Sequence, residues 1–422
     1  MTAFERQTLA NGVRVISAPL PHAASVACVI GLAAGARYEA PAAGGFAHFT
    51  EHMVFTGTAR RSTMTELAAE VETIGGQQNA STSKELTNYW IKVGADHVAT
   101  GLDLLADMIR NSRFDAADVE REKGVIVEEV KRKFQSPGDY VDELFEALLY
   151  GDQPIGRPVD GTEETVRAAD RETLFDFYER WYTPRRTVVG LAGKIDGNSA
   201  ALVEELIGDF EREDHEGPEP AVRHASDRRV ELESKEMEQA ELCLGGRACP
   251  LGHPDRYATH LLATLLGGGG MMSSRLYQEL VAERGLAYSV FATVQSYVDA
   301  GAVWAQGGVD VDRIDEAVTA IAAAFRRAAE ESVSSAELEK ARNYAKGRFA
   351  FALETPLGLV SFGVRREAVE GQAADPDEVL DGLDAVTAAD VQRVASDLVA
   401  GGLHLAVVGP FDDAGRFETL LG

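Results

Sequence analysis

The chain has 422 residues, 45% of them hydrophobic, and its 68 acidic residues outnumber its 41 basic ones, so the formal net charge is −27. The composition is that of a globular protein, and the length predicts at least two domains. Because a strongly negative surface repels phosphate backbones, a nucleic acid partner is not expected.

Cysteine content, the first residues and the apolar runs indicate which cellular compartment to expect. Cys28, Cys243 and Cys249 are odd in number and form no CxxC pair, so we expect reduced, mostly buried thiols rather than a disulfide framework. The first residues, "MTAFERQTLANGVRVI", lack the basic and apolar regions of a secretory signal, and no run of about 18 apolar residues predicts a membrane span. A cytoplasmic location without membrane attachment is the default expectation.

The first half of the chain is predicted to mix strands and helices. Asn11-Gly12 lies between two alternating apolar runs and predicts a hairpin, and "SVACVIGLAAGAR" predicts a further strand. A helix containing "HFTEH" follows, then a helix in "TMTELAAEVETIGG" and strands in "QQNASTSKELTNYWIKV". Long helical patterns come next, including "DAADVEREKGVIVEEVKRKF", and "RTVVGLAGKI" predicts a closing strand.

The second half repeats this order of elements. Residues 211–228 are charged, aperiodic and contain Pro and Gly, which predicts an exposed linker. We therefore predict an α+β fold of two homologous domains, residues 1–210 and 229–422, each a mostly antiparallel sheet with helices packed on one face. The run Gly267–Gly270 is not followed by Gly-Lys-Ser/Thr, so we predict a mobile loop there rather than a nucleotide site.

His48 and His52 are the first residues whose spacing indicates a functional site. They are four residues apart, so on a helix both imidazoles lie on one face and can reach one ion, with Glu51 beside them. His-x-x-Glu-His is the inverted form of the His-Glu-x-x-His zinc helix. Since the whole chain has nine histidines, we interpret the pair as a metal site rather than as hydrogen-bonded core histidines.

A catalytic zinc ion needs a third protein ligand, and the helix "DVEREKGVIVEEVKRKF" offers several glutamates. Glu129 shares the apolar face of Val125 and Ile126, whereas Glu128 is rotated about 100° away. Glu122 lies two turns before Glu129 on nearly the same face. Glu129 is therefore the predicted third ligand, and Glu122 is predicted to be a supporting carboxylate.

These motifs resemble the pitrilysin family (M16) of zinc metallopeptidases, and within it the bacterial and mitochondrial processing peptidases. The 76 residues between His52 and Glu129 match the family spacing, and "EREKGVIVEEV", "GGQQNASTSKELTNYW" and "LLGGGGMMSSRLYQELVAERGLAYSV" are similar to family segments. The resemblance covers nearly the whole chain.

The resemblance implies a role for each of these residues. His48, His52 and Glu129 would hold one Zn²⁺ per chain, and Glu51 would be the general base, with Glu122 supporting the site. Asn79 and Ala80 would bind the peptide substrate beside the scissile bond, on a strand that can accept an extended peptide.

The second half departs from the family pattern at one position. Members active as a single type of chain resemble one another in an Arg-x6-Tyr pair that stabilises the substrate and the oxyanion. Tyr288 matches the tyrosine, but Val281 stands at the arginine position, and Arg275 and Arg284 are not assumed to replace it.

The sequence therefore leaves alternatives open for the partner subunit and for the activity. The resemblance implies either a homodimer or a heterodimer whose homologous partner supplies the arginine and tyrosine. The predicted function is a zinc endopeptidase that hydrolyses unfolded peptides or precursor segments. A non-catalytic structural subunit of the same fold is the alternative, and a zinc hydrolase of non-peptide amides is a third hypothesis.

Overall fold

The computed structural model describes residues 4–195, 197, 199–222, 228–372 and 375–422. Its strands are β1 (Glu5–Thr8), β2 (Arg14–Pro19), β3 (Ser25–Leu32), β4 (Gln77–Thr82), β5 (Thr87–Gly94), β6 (Thr187–Gly193), β7 (Val230–Ser234), β8 (Gln239–Ala248), β9 (Ala287–Ser296), β10 (Gly301–Asp310) and β11 (His404–Gly409).

The α-helices of the first half are α1 (Phe46–Val54), α2 (Met64–Thr73), α3 (Val98–Asn111), α4 (Ala116–Gln135), α5 (Pro137–Tyr150), α6 (Glu163–Ala168), α7 (Arg171–Trp181) and α8 (Ser199–Ile207). Those of the second half are α9 (Arg256–Leu266), α10 (Ile314–Glu330), α11 (Ser335–Ala352), α12 (Pro356–Arg365), α13 (Pro376–Ala385), α14 (Ala388–Ala400) and α15 (Ala414–Leu421). Tyr277–Glu283 and Arg366–Glu370 are π-helical. None of the described helices has the length and apolar character needed to cross a membrane.

The chain divides into two compact units, and neither is continuous in sequence. The first unit consists of Met1–Lys131, Arg157–Glu219 and Ala350–Pro376; the second consists of Arg132–Gly156, Pro220–Phe349 and Asp377–Gly422. Each unit thus contains a segment from the opposite half of the sequence. The domain limits 1–210 and 229–422 stay a prediction, and residues 223–227 of the predicted linker 211–228 lie outside the described residues.

The two sheets share one topology. The first unit has the strand order β1-β2-β6-β3-β5-β4, and the second has β7-β11-β8-β10-β9. After β1, both sheets therefore follow the same order: first, last, second, fourth and third strand of their half. In each sheet the first and last of these strands pair in parallel, and the remaining neighbours pair antiparallel. The predicted α+β class with two mostly antiparallel sheets is confirmed.

One face of each sheet packs against helices from its own half of the sequence. In the first unit, Cys28 and Ile30 of β3 join a buried core with Leu102 and Leu105 of α3. In the second unit, β8 and β10 join a core with helices α9, α10 and α14. This is the arrangement that the apolar periodicity of the long helices predicts.

The other face of each sheet is covered by a helix from the opposite half of the sequence. In the first unit, α12 crosses β3 and β6 where Gly31 and Gly190 leave room for it: a Cβ at Gly31 would lie 2.3 Å from a methyl carbon of Val364. In the second unit, Phe145 of α5 packs with Trp304 of β10 in a separate buried cluster. Helices therefore pack on both faces of each sheet, beyond the single face expected from the sequence.

The contact of α12 with the sheet predicts the effect of enlarging Gly31. Gly31→Ala should lower the free energy of unfolding by about 1–3 kcal/mol, because the new methyl group overlaps Val364. Thermal unfolding of the variant measures the loss. Gly124→Ala is the control, since a Cβ at this helical glycine would have no neighbour within 4 Å and should be neutral or stabilising.

A double variant tests whether overlap with Val364 causes the loss of stability in Gly31→Ala. Val364→Ala removes the overlapping methyl groups, so the effects of Gly31→Ala and Val364→Ala should not add when combined. Additive losses would contradict the proposed contact.

Candidate metal centre

Helix α1 begins at a glycine that no other residue can replace without strain. Gly45 has φ +90°, and a Cβ there would lie 2.6 Å from the carbonyl oxygen of Asp160. Because glycine has no side chain, it gives no side-chain cap to the helix amides that follow. The capping acceptor has to come from elsewhere in the chain.

Glu39 supplies that acceptor. Its carboxylate accepts hydrogen bonds from the backbone N–H groups of Gly45, at 2.9 Å, and Ala47, at 2.7 Å, and the residue is only 4% exposed. Burial raises the pKa of Glu39 to about 8, against the opposing effect of these two hydrogen bonds and of Lys84 and Arg157. A buried carboxyl group thus fixes the start of the helix that carries both histidines.

The side chains of α1 divide between core and site. Phe49 and Met53 are fully buried in the core of the first unit, whereas His48 and His52 are partly exposed. The two imidazole rings lie edge to face with centroids 4.8 Å apart. The helical spacing of four residues therefore places both rings on one side of the core.

Helix α4 brings Glu129 to these rings. Ligand atoms of His48, His52 and Glu129 all lie within 4.8 Å of one another. The Glu129 Oε2 atom is 3.4 Å from His52 Nε2 and 3.8 Å from His48 Nε2, longer than an ordinary N–H···O hydrogen bond. Two ligand atoms at about 2.1 Å from a tetrahedral zinc ion lie about 3.4 Å apart, so the donor types suit zinc and the distance between Glu129 and His52 matches its spacing.

The second nitrogen of each imidazole faces another carboxylate. His52 Nδ1 is 3.2 Å from Glu122 Oε2, and His48 Nδ1 is 3.8 Å from Asp160 Oδ1. A carboxylate hydrogen-bonded to Nδ1, as Glu122 is to His52, orients a metal-binding histidine and leaves Nε2 for an ion. The 3.8 Å between His48 and Asp160 is longer than a hydrogen bond. The sequence pointed to Glu122 through its helical face. It did not point to Asp160, which lies in an irregular segment with no periodic relation to α1.

The charges of this cluster affect the protonation of His52. Burial lowers the pKa of His52, but the hydrogen bond with Glu122 and the charges of Glu129, Glu122 and Glu51 outweigh burial, so the pKa is raised. The same hydrogen bond lowers the pKa of Glu122 against the effect of burial. A cation is therefore favoured at this position, and a bound metal would displace the proton of His52.

Glu51 lies beside the donor set and is oriented by the neighbouring strand. The hydroxyl group of Thr82, at the end of β4, donates a hydrogen bond to Glu51 Oε2 at 2.5 Å. Burial raises the pKa of Glu51, and the charges of Glu129 and Asp160 add to this effect, while Thr82 and His52 oppose it. A carboxylate with a raised pKa is a better proton acceptor and donor near neutral pH.

Strand β4 also carries the predicted substrate-binding residues. It is the last strand at one edge of the described sheet, and it pairs with β5 through Asn79↔Trp90 and Ala80↔Tyr89. Asn79 is exposed, whereas Ala80 is half-buried against the core. The edge that runs past Glu51 can accept another extended chain, but the roles of Asn79 and Ala80 stay predictions.

The remaining predicted residue, Tyr288, belongs to the second unit. It lies near the start of β9 and is 88% exposed, and its role stays a prediction. Val281 packs against the apolar core of that unit. The guanidinium of Arg275 donates two hydrogen bonds to the carboxylate of Glu337, from Nε at 2.7 Å and from Nη2 at 2.9 Å. The guanidinium is therefore already engaged.

The other nearby arginine is engaged as well. Arg284 lies 3.3 Å from the carboxylate of Glu316 and 3.7 Å from that of Glu279. Both arginines near Val281 are thus engaged in ion pairs, and that neither replaces the arginine expected at Val281 stays a prediction.

Comparison with known proteins agrees with this fold. The family model described as insulinase (peptidase family M16) matches residues 14–163, and the one described as peptidase M16 inactive domain matches residues 168–344. A Bacillus subtilis protein named as an uncharacterized zinc protease is 35% identical over 408 residues, covering 96% of this chain and 98% of its own length. The chain belongs to peptidase family M16.

Solved structures share the fold at lower identity. A protease from Helicobacter pylori superposes with a TM-score of 0.89 at 20% identity, covering 97% of this chain and 100% of that one. A chain of Complex III2 from Candida albicans superposes with a TM-score of 0.84 at 18% identity and 99% coverage of both chains. At these identities the likeness concerns the fold alone.

The capping role of Glu39 predicts a defined loss of stability. Glu39→Ala should lower the free energy of unfolding by about 1–3 kcal/mol, because the buried amides of Gly45 and Ala47 lose their acceptor. It should also weaken zinc retention, since α1 carries two of the three donors. Unfolding curves and zinc content against increasing chelator measure both effects.

A surface glutamate provides the control for this variant. Glu120→Ala removes a carboxylate whose side chain is 68% exposed and should change stability by less than about 0.5 kcal/mol. If Glu39→Ala behaves like Glu120→Ala in both measurements, Glu39 does not hold α1 in place.

Proposed function

We propose that the chain is a zinc-dependent endopeptidase that hydrolyses unfolded peptides or precursor segments. The observation that carries this proposal is the convergence of His48, His52 and Glu129, whose ligand atoms lie within 4.8 Å of one another, next to the oriented carboxylate of Glu51. The zinc protease name of the Bacillus subtilis relative supports the same activity.

The mechanism assigns each group a task. The Nε2 atoms of His48 and His52 and the carboxylate of Glu129 would hold the ion, with Glu122 orienting the ring of His52. When bound, zinc would lower the pKa of a water molecule to about 7 and polarise a peptide carbonyl.

Glu51 then performs the proton transfers. It accepts the proton of the attacking water and later donates it to the amine that leaves. Burial suits Glu51 to both steps because it raises the pKa of the carboxyl group, and the hydrogen bond from Thr82 fixes one carboxylate oxygen. No covalent intermediate is required.

The edge strand β4 supports a peptide as the substrate class. An extended chain added to this edge would gain backbone hydrogen bonds, which are independent of side-chain identity, next to Asn79 and Ala80. A folded protein offers few free extended segments for such pairing. We therefore propose unfolded peptides as substrates. As a separate part of the proposal, the reaction takes place in the cytoplasm.

The assembly is part of the proposal. Val281 cannot donate a hydrogen bond or carry charge to a developing oxyanion, and the nearby Arg275 is already paired with Glu337. We propose a dimer, either of two copies or with a homologous subunit that supplies an arginine and a tyrosine; Tyr288 of this chain would be the tyrosine in the first case.

A structural, non-catalytic subunit is the second candidate. Val281 favours it, as do the inactive-domain description of residues 168–344 and the fold shared with a chain of Complex III2. The intact donor set and the oriented Glu51 favour the peptidase.

The first experiment measures turnover of an unstructured fluorogenic peptide by the purified chain, with zinc content measured in the same sample. The peptidase proposal expects one zinc ion per chain and cleavage, either by the chain alone or after a homologous subunit is added. Zinc without cleavage under both conditions would support the structural subunit. Absence of bound zinc after incubation with the metal would overturn the peptidase proposal.

Glu51→Gln should lower kcat by about 10²–10⁴-fold while zinc remains bound, because the amide cannot accept the proton but the donor set is unchanged. Peptide cleavage and zinc content are measured on the same preparation. Glu128→Gln, on an exposed face of α4, is the matched control and should retain activity. Cleavage by Glu51→Gln at the parent rate would exclude Glu51 as the base.

His52→Ala should lose the metal, because it removes one of three donors and leaves Glu122 without its imidazole partner. Zinc content after dialysis is the measurement. The exposed His22 provides the control, since His22→Ala should keep the full zinc content. A full zinc complement in His52→Ala would refute the ligand assignment.

A further inference from the structure

Thr82 is the residue through which strand β4 contacts the carboxylate of Glu51. It is the last residue of β4, and its hydroxyl group donates a hydrogen bond to Glu51 Oε2 at 2.5 Å. Among the described residues, no other group donates a hydrogen bond to this carboxylate. The orientation of the Glu51 side chain by hydrogen bonding therefore depends on one hydroxyl group.

The neighbouring hydroxyl group, that of Thr87, cannot act as a donor to Thr82. The two threonines are directly opposed in the register of β4 and β5, and their Oγ1 atoms are 3.4 Å apart. Thr87 is 1% exposed, and it donates its single proton to the carbonyl oxygen of Ala34 at 2.9 Å. Towards Thr82 it is therefore left with acceptor capacity alone.

The proton of Thr82 thus has two acceptors, and they differ in strength. When ionised, the Glu51 carboxylate at 2.5 Å accepts a short, charge-assisted hydrogen bond. Thr87 Oγ1 is neutral, and its distance of 3.4 Å is longer than an ordinary O–H···O hydrogen bond. Turning Thr82 away from Glu51 would exchange the stronger bond for the weaker one, so donation to Glu51 is favoured.

The acceptor of the Thr87 proton is held in place by the turn between β4 and β5. The backbone N–H group of Ala36 donates a hydrogen bond to the carbonyl oxygen of Ser83, in this turn, at 3.0 Å. Gly35 lies so close to the turn that a Cβ there would be 2.3 Å from the same oxygen. The carbonyl group of Ala34 is therefore fixed next to Thr87, which stays an acceptor.

We propose that Thr82 is a positioning residue for the peptidase reaction and that it divides the two oxygens of Glu51 between two tasks. Oε2 accepts the hydrogen bond of Thr82 and stays in place, which leaves Oε1 to take the proton of the attacking water and to give it to the leaving amine. Thr82 neither gains nor loses a proton, so the proton count of the reaction is unchanged. The inference rests on the proposed function, since it requires Glu51 to be the base.

Strand β4 then places the base relative to the substrate. β5 pairs with one side of β4, and no strand of the described sheet pairs with the other, which is the edge that the proposed function assigns to an extended peptide. Such pairing uses backbone groups, whereas the Thr82 hydroxyl group contacts Glu51. Loss of this hydroxyl group should therefore slow the chemical step and leave peptide binding in place.

Thr82→Val and Thr82→Ser separate the hydroxyl group from the shape of the side chain. Thr82→Val should lower kcat about 5–50-fold with KM within about twofold of the parent, whereas Thr82→Ser should stay within about threefold in both. Unfolding temperatures should rank the variants in the opposite order, because valine keeps the β-branched shape that suits a strand and serine does not. A merely structural role would make kcat follow the unfolding temperature.

Thr187→Val is the matched control in the same sheet. Its buried hydroxyl group donates to the carbonyl oxygen of Thr183 at 2.8 Å rather than to Glu51, so the variant should lose stability and keep kcat. Crystal structures add a measurement that does not depend on turnover. Glu51 should have one conformation in the parent, with Oε2 on Thr82, and more than one conformation in Thr82→Val.

Three results would overturn the inference and leave the proposed function in place. They are a parent kcat in Thr82→Val, a loss of kcat that Thr82→Ser shares with Thr82→Val, and a parent crystal structure in which Glu51 does not contact Thr82. If the parent chain cleaves no peptide, alone or with a homologous subunit, the proposed function fails and the inference fails with it.

Discussion

The hydrogen bonds from Gly45 and Ala47 to the buried Glu39 carboxylate hold the start of helix α1, and the metal centre depends on them. A helix of nine residues has little stability of its own, so its position comes from its cap and from its buried face. With both fixed, the spacing of His48 and His52 sets the spacing of their rings. A shift of this helix by about 1 Å would alter the distance of both Nε2 atoms from Glu129.

Each sheet depends on a helix from the other half of the sequence. Gly31 and Gly190 are glycines because α12 passes so close that a side chain would overlap Val360 or Val364. In the second unit, Trp304 donates a hydrogen bond from Nε1 to Asp142 of α5 at 2.8 Å, and Cys243 lies 3.2 Å from the same carboxylate. A chain cut in the linker would give two halves that each lack the helix covering one face of their sheet.

Local signals made part of this structure predictable from the sequence. The Asn11-Gly12 hairpin, the i, i+4 histidines and the placing of Glu129 beside them depend on residues close in sequence. The apolar face predicted for α4 was only partly right, since Ile126 is buried but Val125 is 43% exposed. Glu39 and Asp160 were missed because their contacts with α1 are set by folding rather than by a period. Glycine at the start of α1 provides no side-chain cap, and no local pattern in the sequence identifies the residue that supplies one.

The packing of α5 on the sheet of the second unit, and of α12 on that of the first, was missed for a related reason. Periodicity shows that a helix has an apolar face, but it does not show which sheet that face contacts. The close approach of α12 is encoded on its partner strands, at Gly31 and Gly190. Glycine inside a strand also occurs at bulges and at tight bends, so these two positions do not by themselves identify a helix crossing.

The charges at the metal centre favour the peptidase over an idle subunit. Glu51, Glu122, Glu129 and Asp160 lie around two imidazoles. Burial raises the pKa of Glu51, with a further contribution from Glu129 and Asp160, and the carboxylates raise the pKa of His52 despite its burial. Clustered carboxylates repel one another, and the repulsion is relieved when a cation is held among them. A subunit with a purely structural role would be stabilised by neutral or apolar residues at these positions. The three donors within 4.8 Å of one another, with further carboxylates beside them, therefore support the proposed metal site.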